Sequence, residues 1–288
     1  MADLTINSKL RMNSGFEIPI LGYGVYQIPA ADTEALVAHA LEKGYRHVDS
    51  AASYRNEAPC GKAIRESGIP REYIFFTSKI PSRKLNYERT KAQVEDTLKE
   101  TDLSYIDLML IHAPYGGREA RKGAWKALVE AQEEGKIRSL GISNYGIHHL
   151  DEMEIYMKEL EEERGKGKAG VIDVGQWELH PWLSRPDIVH WCQKRGIVLE
   201  AWSPLVRGER MGENILVPLT RKYKKTAAQV LLRWSLQKGF VPLPKSVTPS
   251  RIEENTNIFD FQLTAEEMES LETGQYVPCS WDPTVSHD

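Results

Sequence analysis

Cysteine is scarce in this chain of 288 residues, which contains only Cys60, Cys192 and Cys279. Their number is odd, their spacing is wide and no CxxC pair occurs, which argues against a disulfide framework and against a dithiol redox motif. Reduced thiols of this kind are typical of cytoplasmic proteins, and we therefore expect a cytoplasmic location.

Long apolar runs and a strong charge of one sign are also missing. No apolar run approaches the roughly 20 residues that a membrane-spanning helix needs, and the start of the chain is polar rather than signal-like. The net charge of −4 offers no broad basic surface for nucleic acid or an anionic membrane. HxH and HExxH patterns are absent, which disfavours a metal enzyme. The partner we expect is a small molecule.

The chain does contain a regular alternation of short apolar runs and amphipathic stretches. Residues 6–19 carry two extended pieces around the turn signal Asn13-Ser14-Gly15 and predict a leading β-hairpin. Helical patterns include Thr33–Lys43, Tyr87–Glu100 and Thr226–Gln237. The eight predicted strands are Ile20–Gly24, His47–Asp49, Ile74–Ser78, Ile106–Ile111, Ile137–Ile142, Val171–Gln176, Ile197–Ala201 and Val241–Leu243.

Eight strands that alternate with helices over this length predict an α/β fold, namely a (β/α)8 TIM barrel formed by a single domain of residues 1–288. The alternative is a doubly wound open sheet, which usually has a glycine-rich fingerprint after its first strand. Here Gly22 and Gly24 are followed by Val25–Ile28, so the third glycine is missing. The highly charged segment Lys158–Lys168 is interpreted as a solvated helix end on the opposite face from the expected site.

Polar or functional side chains follow nearly every predicted strand. The carboxyl ends of barrel strands meet at one face, where barrel enzymes carry their active sites, so this pattern predicts a site at that face. The residues concerned are Asp49, Lys79, His112, Ser143, Asn144, Gln176, Trp202, Ser203, Lys245 and Ser246.

Several long motifs resemble the aldo-keto reductase family. They are Gly44–Glu57, Leu110–His112, Gly141–Asn144, Gln176–Pro181 and Pro244–Asn255. The resemblance covers essentially the whole chain. It implies a monomeric barrel without a Rossmann domain that reduces carbonyl compounds with NADPH.

The resemblance also implies four catalytic residues, Asp49, Tyr54, Lys79 and His112, and ordinary chemistry agrees with their roles. Carbonyl reduction needs an acid for the developing alkoxide, and a free phenol, with a pKa of about 10, is protonated at neutral pH. Tyr54 is therefore the candidate proton donor. We expect Lys79 to lower the pKa of Tyr54, Asp49 to supply the counter-charge of Lys79, and His112 to orient the carbonyl oxygen.

The contacts to the nicotinamide half of the cofactor are implied by the same motifs. Ser143, Asn144 and Gln176 match positions that hydrogen-bond the carboxamide, and Trp202 matches an aromatic position that stacks on the ring. Other positions expected to bind the cofactor are Gly24, Val25 (where threonine is frequent in the family), Asp49, Ser203 and Leu205. Ser203 and Leu205 lie in a loop expected to cover the pyrophosphate.

The contacts to the adenosine half lie in the last motif. Lys245, Ser246 and Arg251 form a local cationic cluster that suits the 2′-phosphate of NADPH rather than the bare ribose of NADH. Glu254 and Asn255 match adenine contacts in the family.

Substrate selectivity is expected from aromatic residues on the βα loops and on the C-terminal tail Val277–Asp288, which we expect at the active-site face. Such a wall suits apolar or aryl aldehydes, ketones and ketoesters, while small sugars stay open. Ala113 replaces a frequent tryptophan of the family, which changes one edge of the pocket. The expected wall residues are Tyr23, Tyr26, Tyr115, Trp182 and Trp281.

Two alternative functions stay open at this stage. A Schiff-base aldolase would use a barrel lysine, but it leaves Tyr54 and the Lys245–Asn255 segment without a role. An NADPH-binding sensor or regulatory subunit would bind cofactor and turn over slowly, which an intact catalytic set argues against.

The spacing of Tyr87 and Lys91 resembles that of short-chain dehydrogenases. This segment opens an amphipathic helix with no glycine-rich loop before it, and it is interpreted as a solvated helical face.

Overall fold

The computed structural model describes residues 4–287, and the main feature of this part is an eight-stranded parallel sheet whose strands follow one another in chain order. Residues 1–3, at the polar start of the chain, and Asp288, the end of the predicted tail, lie outside the described residues. An antiparallel hairpin of β1 (Lys9–Arg11) and β2 (Glu17–Pro19) precedes the sheet. The sheet consists of β3 (Tyr23–Gly24), β4 (His47–Asp49), β5 (Phe75–Ile80), β6 (Ile106–Ile111), β7 (Ile137–Ser143), β8 (Val174–Glu178), β9 (Val198–Trp202) and β10 (Phe240–Leu243).

The sheet closes into a barrel between β3 and β10. The N–H of Gly22 donates to the carbonyl of Pro242, and the N–H of Gly24 donates to that of Pro244, both at 3.1 Å. A Cβ atom at Gly22 would lie 2.5 Å from Cδ2 of Leu243 and 2.7 Å from Nδ1 of His47, so a larger residue would force these buried side chains to move. The predicted (β/α)8 barrel is confirmed, and the glycine pair serves close strand approach.

Helices connect the strands around the outside of the barrel and extend its loops. Thr226 and Gln229 form a capping box at the start of the helix that follows β9 and its long loop, which explains why that helix begins where the sequence predicts. None of the helices in residues 4–287 has the length and hydrophobicity required to cross a membrane. The α-helices are α1 (Ala30–Glu42), α2 (Glu57–Glu66), α3 (Tyr87–Thr101), α4 (Arg118–Glu133), α5 (Ile147–Arg164), α6 (Pro186–Gln193), α7 (Val217–Tyr223), α8 (Ala227–Gln237), α9 (Pro249–Glu254) and α10 (Ala265–Ser270).

The interior of the barrel is apolar at its amino-terminal end and polar at its carboxyl end. The hairpin closes the amino-terminal end with Met12 and Ile18, and the side chain of Asn13 donates to the carbonyl of Ile172 at 2.9 Å. Because the hairpin covers the amino-terminal end, the carboxyl end of the barrel is the open face. The apolar cluster beneath that face consists of Phe75, Leu108, Leu110, Val174, Val198, Val241 and Leu243, together with Met12 and Ile18.

Four strands end later than the sequence predicts, namely β5, β7, β8 and β9. The strand predicted at 171–176 is observed as β8 (Val174–Glu178), which also begins later than predicted. Asp173, just before it, accepts the backbone N–H groups of Ser14 and Leu140 and so connects the bottom of the barrel to the hairpin. The strand predicted at 197–201 runs on to Trp202. The charged segment after residue 158 is the largely exposed end of α5 and the following turn, where Arg164 pairs with Glu133 of α4 at 2.9 Å.

Candidate active site

A buried ion pair lies at the carboxyl ends of β4 and β5. Nζ of Lys79 donates to Oδ1 and Oδ2 of Asp49 at 2.7 and 2.8 Å and to the carbonyl of Ser50 at 2.8 Å. The same nitrogen is 3.5 Å from the hydroxyl oxygen of Tyr54. The sequence therefore brings the predicted carboxylate, ammonium and phenol into one connected group.

The loop after β4 carries Tyr54 back over the strand end. Residues 52–54 form one turn of 3-10 helix that begins three residues after the last residue of β4, and Arg55 ends the turn in a left-handed conformation with φ of 60°. The buried side chain of Asn56 fixes this loop, because it accepts from the hydroxyl of Ser50 at 2.9 Å and donates to the carbonyl of Val25 at 2.9 Å. Asn56 was part of the recognised motif, but its supporting role was not predicted.

The environment of Tyr54 keeps its phenol protonated. Burial raises the pKa of Tyr54 to about 12, although the positive charge of Lys79 pulls in the opposite direction. The expectation that Lys79 lowers this pKa is correct for its own contribution, but burial outweighs it. Burial also works against a charged Lys79, but the negative charge of Asp49 and its hydrogen bonds to the ammonium outweigh burial, so the pKa of Lys79 is raised.

The imidazole of His112 lies beside the phenol, with ring centroids 5.7 Å apart. Burial, followed by the charge of Lys79, lowers the pKa of His112 to about 3, so the ring is uncharged at neutral pH. Nδ1 is 3.3 Å from the hydroxyl oxygen of Ser53, which can donate to it. The ring proton then lies on Nε2 and is available as a neutral hydrogen-bond donor.

A cavity of about 1070 Å³ extends from these residues across the carboxyl ends of the strands. Its volume is at the upper limit of the roughly 300–1,000 Å³ of small-molecule sites, which suits a ligand as large as a dinucleotide. The predicted cofactor residues in its wall are Gly24, Asp49, Ser143, Asn144, Gln176, Trp202, Ser203, Leu205, Lys245, Ser246, Arg251, Glu254 and Asn255. Val25 is buried behind the wall, where its N–H donates to the carbonyl of Asp49 at 3.0 Å.

Hydrogen bonds hold the polar part of this wall in fixed orientations. Nε1 of Trp202 donates to Oδ1 of Asn144 at 2.9 Å, and Nδ2 of Asn144 donates to the carbonyl of His112 at 2.9 Å. Nε2 of Gln176 donates to Asp49 at 2.9 Å and to Glu200 at 2.7 Å. Because both of its N–H groups are used in this way, Oε1 of Gln176 can accept a hydrogen bond from an amide group in the cavity.

The other end of the cavity is cationic. Lys245 and Arg251 are exposed there, and neither takes part in an ion pair within residues 4–287. Ser246 also lines the cavity, and the hydroxyl of Tyr23 donates to its backbone carbonyl at 2.7 Å. Two cations and a hydroxyl at one end of a deep groove form a suitable site for a phosphate dianion.

The aromatic wall is smaller than predicted. Tyr26 and Trp281 line the cavity. Tyr115 is not among the lining residues, although its hydroxyl accepts a hydrogen bond from Nε1 of Trp281 at 2.8 Å. Tyr23 and Trp182 do not line it: each is 1% exposed and packs in the core. Tyr23 lies behind the end of β10, where its hydroxyl donates to the carbonyl of Ser246. Trp182 lies under the C-terminal tail, whose Val277 N–H donates to its carbonyl. Both rings fill space between the barrel and its loops.

The tail that carries Trp281 is anchored by residues that the sequence analysis missed. The buried guanidinium of Arg185 donates to Thr284 at 2.9 Å and to Asp282 at 3.0 Å. The buried carboxylate of Glu178 accepts the backbone N–H of Cys279 at 2.7 Å. These partners lie about 100 positions apart in the chain, so local patterns carried no signal for them.

Comparisons with known proteins agree with this architecture. Residues 21–274 match the model of the aldo/keto reductase family. An uncharacterised oxidoreductase of Schizosaccharomyces pombe is 40% identical over 286 residues, which cover 98% of this chain and 99% of that protein. The glyoxal reductase of Bacillus subtilis is 39% identical, with 93% of each chain covered. A crystal structure of an aldo-keto reductase from a Medee basin deep-sea metagenome library superposes with a TM-score of 0.87 at 34% identity, covering 97% of this chain and 99% of that one.

Proposed function

The chain belongs to the aldo/keto reductase family, and on that premise we propose that it reduces aldehydes and ketones to alcohols with NADPH, with Tyr54 as the proton donor. The observation that carries the proposal is the contact between the hydroxyl of Tyr54 and the buried Lys79–Asp49 pair at the wall of a cavity of dinucleotide size. Members of this family are oxidoreductases that use a nicotinamide cofactor.

The residues of the chain perform the proton chemistry. NADPH, when bound, supplies the hydride. The phenol of Tyr54 donates its proton to the oxygen on which negative charge develops, a contribution worth roughly 10²–10⁴-fold in rate. Lys79, held by Asp49, stabilises the phenolate that remains. The neutral His112 donates a hydrogen bond to the same oxygen and orients it.

The cofactor preference follows from the cationic end of the cavity. Lys245 and Arg251 would pair with the 2′-phosphate of NADPH, a group that NADH lacks. Gln176 and Asn144 would hold the carboxamide, and Trp202 would cover the nicotinamide ring. Trp202 is partly exposed and has its indole N–H bonded to Asn144, so its ring is already oriented by the protein.

The substrate class follows from the aromatic side of the site. Tyr26 is 47% exposed and Trp281 is 45% exposed, and both rings lie near the catalytic group: Tyr26 is 5.0 Å from Tyr54 and Trp281 is 6.3 Å from His112, measured between ring centroids. Such a wall favours aryl aldehydes and ketoesters. Glyoxal belongs in the test because one relative is named for its reduction.

Steady-state oxidation of NADPH and NADH with aryl aldehydes, ketoesters, glyoxal and aldoses tests the proposal. We expect turnover with NADPH, and we expect Arg251→Ala to raise KM for NADPH by roughly tenfold or more while KM for NADH changes little. Arg221→Ala, on the exposed surface of α7, is the matched control and leaves both values unchanged. Tight NADPH binding without turnover on every substrate would instead support a sensing role, and equal losses for both cofactors would remove the 2′-phosphate assignment.

A further inference from the structure

Glu200 is a buried acidic residue for which the reaction described above has no use. It lies in β9, two residues before Trp202, and none of it is exposed. Its Oε2 accepts one N–H of the Gln176 amide at 2.7 Å, and the other N–H of that amide goes to Asp49 at 2.9 Å. The side-chain amide of Gln176 therefore connects Glu200 to Asp49, the carboxylate that binds Lys79.

Three strands present polar groups to Glu200. In β4, Nε2 of His47 is 3.4 Å from Oε1 of Glu200. β10 (Phe240–Leu243), which pairs with β9 beside Glu200, has no titratable side chain. The polar and titratable groups that face Glu200 are His47 and Asp49 from β4, Lys79 from β5 and Gln176 from β8.

The interior near Lys79 contains two carboxyl groups, Asp49 and Glu200, and the ammonium of Lys79 pairs only with Asp49. Lys79 directs its N–H groups at Asp49, Ser50 and Tyr54, and within residues 4–287 no lysine or arginine forms an ion pair with Glu200. Burial, and then the negative charge of Asp49, raise the pKa of Glu200 to about 8. His47 offers no compensating charge, because burial lowers its pKa to about 3. At neutral pH Glu200 is therefore mostly uncharged.

We propose that Glu200 is a positioning residue for the proton transfer by Tyr54. In its uncharged form it holds the Gln176 amide against Asp49. Its ionisation adds a second negative charge beneath the Lys79–Tyr54 contact and makes Tyr54 a weaker acid. This role rests on the proposed reductase function.

The sign of the effect follows from the charges already present. The negative charge of Asp49 raises the pKa of Tyr54, and a carboxylate at Glu200 acts in the same direction. Reduction therefore slows as the pH rises through about 8 and Glu200 ionises. A glutamine at this position keeps an acceptor for the Gln176 amide, but it stays neutral at every pH.

The pH dependence of kcat for reduction tests the role. We expect the alkaline limb of the wild-type profile to move up by about 1 pH unit or more in Glu200→Gln. Glu200→Leu, which lacks an acceptor for Gln176, lowers kcat at low pH by about tenfold relative to Glu200→Gln. Asp173→Asn is the matched control, because Asp173 is also buried with a raised pKa but lies at the bottom of the barrel. We expect the pH profile of kcat in Asp173→Asn to keep the alkaline limb of the wild-type protein.

An infrared titration gives a readout that does not depend on turnover. The carbonyl band of a protonated, buried carboxylic acid should be present at neutral pH, disappear as the pH is raised through about 8, and be missing in Glu200→Gln. No such band, or profiles of wild type and Glu200→Gln that superimpose, would remove the role of Glu200 while leaving the reductase proposal intact. A wild-type protein that binds NADPH but never turns over would remove both.

Discussion

Replacing Lys79 by methionine isolates the electrostatics of the site. The substitution keeps the length of the side chain but removes the ammonium that contacts Asp49 at 2.7 and 2.8 Å and the carbonyl of Ser50 at 2.8 Å. Asp49 is 4% exposed and keeps the hydrogen bond from Gln176. A buried carboxylate without its cation is strongly unfavourable, so Asp49 must take up a proton to stay in place.

The free energy needed to protonate the carboxylate sets the size of the destabilisation in Lys79→Met. An ordinary aspartate has a pKa of about 3.9, so protonating it costs about 4 kcal/mol at pH 7 and about 1.5 kcal/mol at pH 5. In the variant the folded state binds one proton more than the unfolded state above that pKa, so its stability falls as the pH rises. We therefore expect Lys79→Met to lower the free energy of unfolding by about 4 kcal/mol at pH 7 and by clearly less at pH 5.

Urea unfolding at both pH values measures this difference. The double variant Asp49→Asn, Lys79→Met has no buried charge to neutralise and should recover most of the loss at pH 7. Lys62→Met is the matched control, because Lys62 pairs with Glu34 at 2.9 Å on the surface, and we expect little change at either pH. A loss in Lys79→Met that is the same at both pH values, or a double variant less stable than the single one, would refute this reasoning.

Three further predictions concern orientation, selectivity and closure of the barrel. His112→Gln lowers kcat by about 10²-fold without moving either limb of the pH profile, because the imidazole is already uncharged; a shifted limb would show that His112 ionises during the reaction. Trp281→Ala raises KM for aryl aldehydes by roughly tenfold but hardly changes KM for glyoxal, and equal changes would remove Trp281 from the substrate wall. Gly22→Ala destabilises the protein by about 1–3 kcal/mol in thermal unfolding, whereas Gly212→Ala, with open space around it, does not; equal melting temperatures would contradict the close approach at the barrel seam.

The fold and the outline of the site could be predicted because parallel barrel strands are buried on both faces. Such strands appear in the sequence as short apolar runs, and a polar residue that ends one of them lies at the active-site face. Asp49, Lys79 and His112 were identified in this way. Tyr54 needed the motif, because it comes from the turn after β4 rather than from a strand end.

Depth inside the barrel could not be predicted. Alternation along a strand separates inward from outward residues, but it does not tell whether an inward aromatic ring faces a cavity or the core. Tyr23 and Trp182 were therefore assigned to the substrate wall, and both are buried elsewhere. Glu200 was missed, although its spacing of two from Trp202 puts both residues on the same face of β9. The pKa of Tyr54 was also out of reach, since it depends on burial.

The role of Tyr54 as proton donor is the central claim, and single-turnover reduction by Tyr54→Phe tests it most directly. Tyr26→Phe is the matched control, because its ring centroid is only 5.0 Å from that of Tyr54. We predict that Tyr54→Phe slows the chemical step by roughly 10²–10⁴-fold while NADPH binds within about twofold of the wild-type affinity, and that Tyr26→Phe reduces its substrate normally. A chemical step of normal rate in Tyr54→Phe would contradict the account.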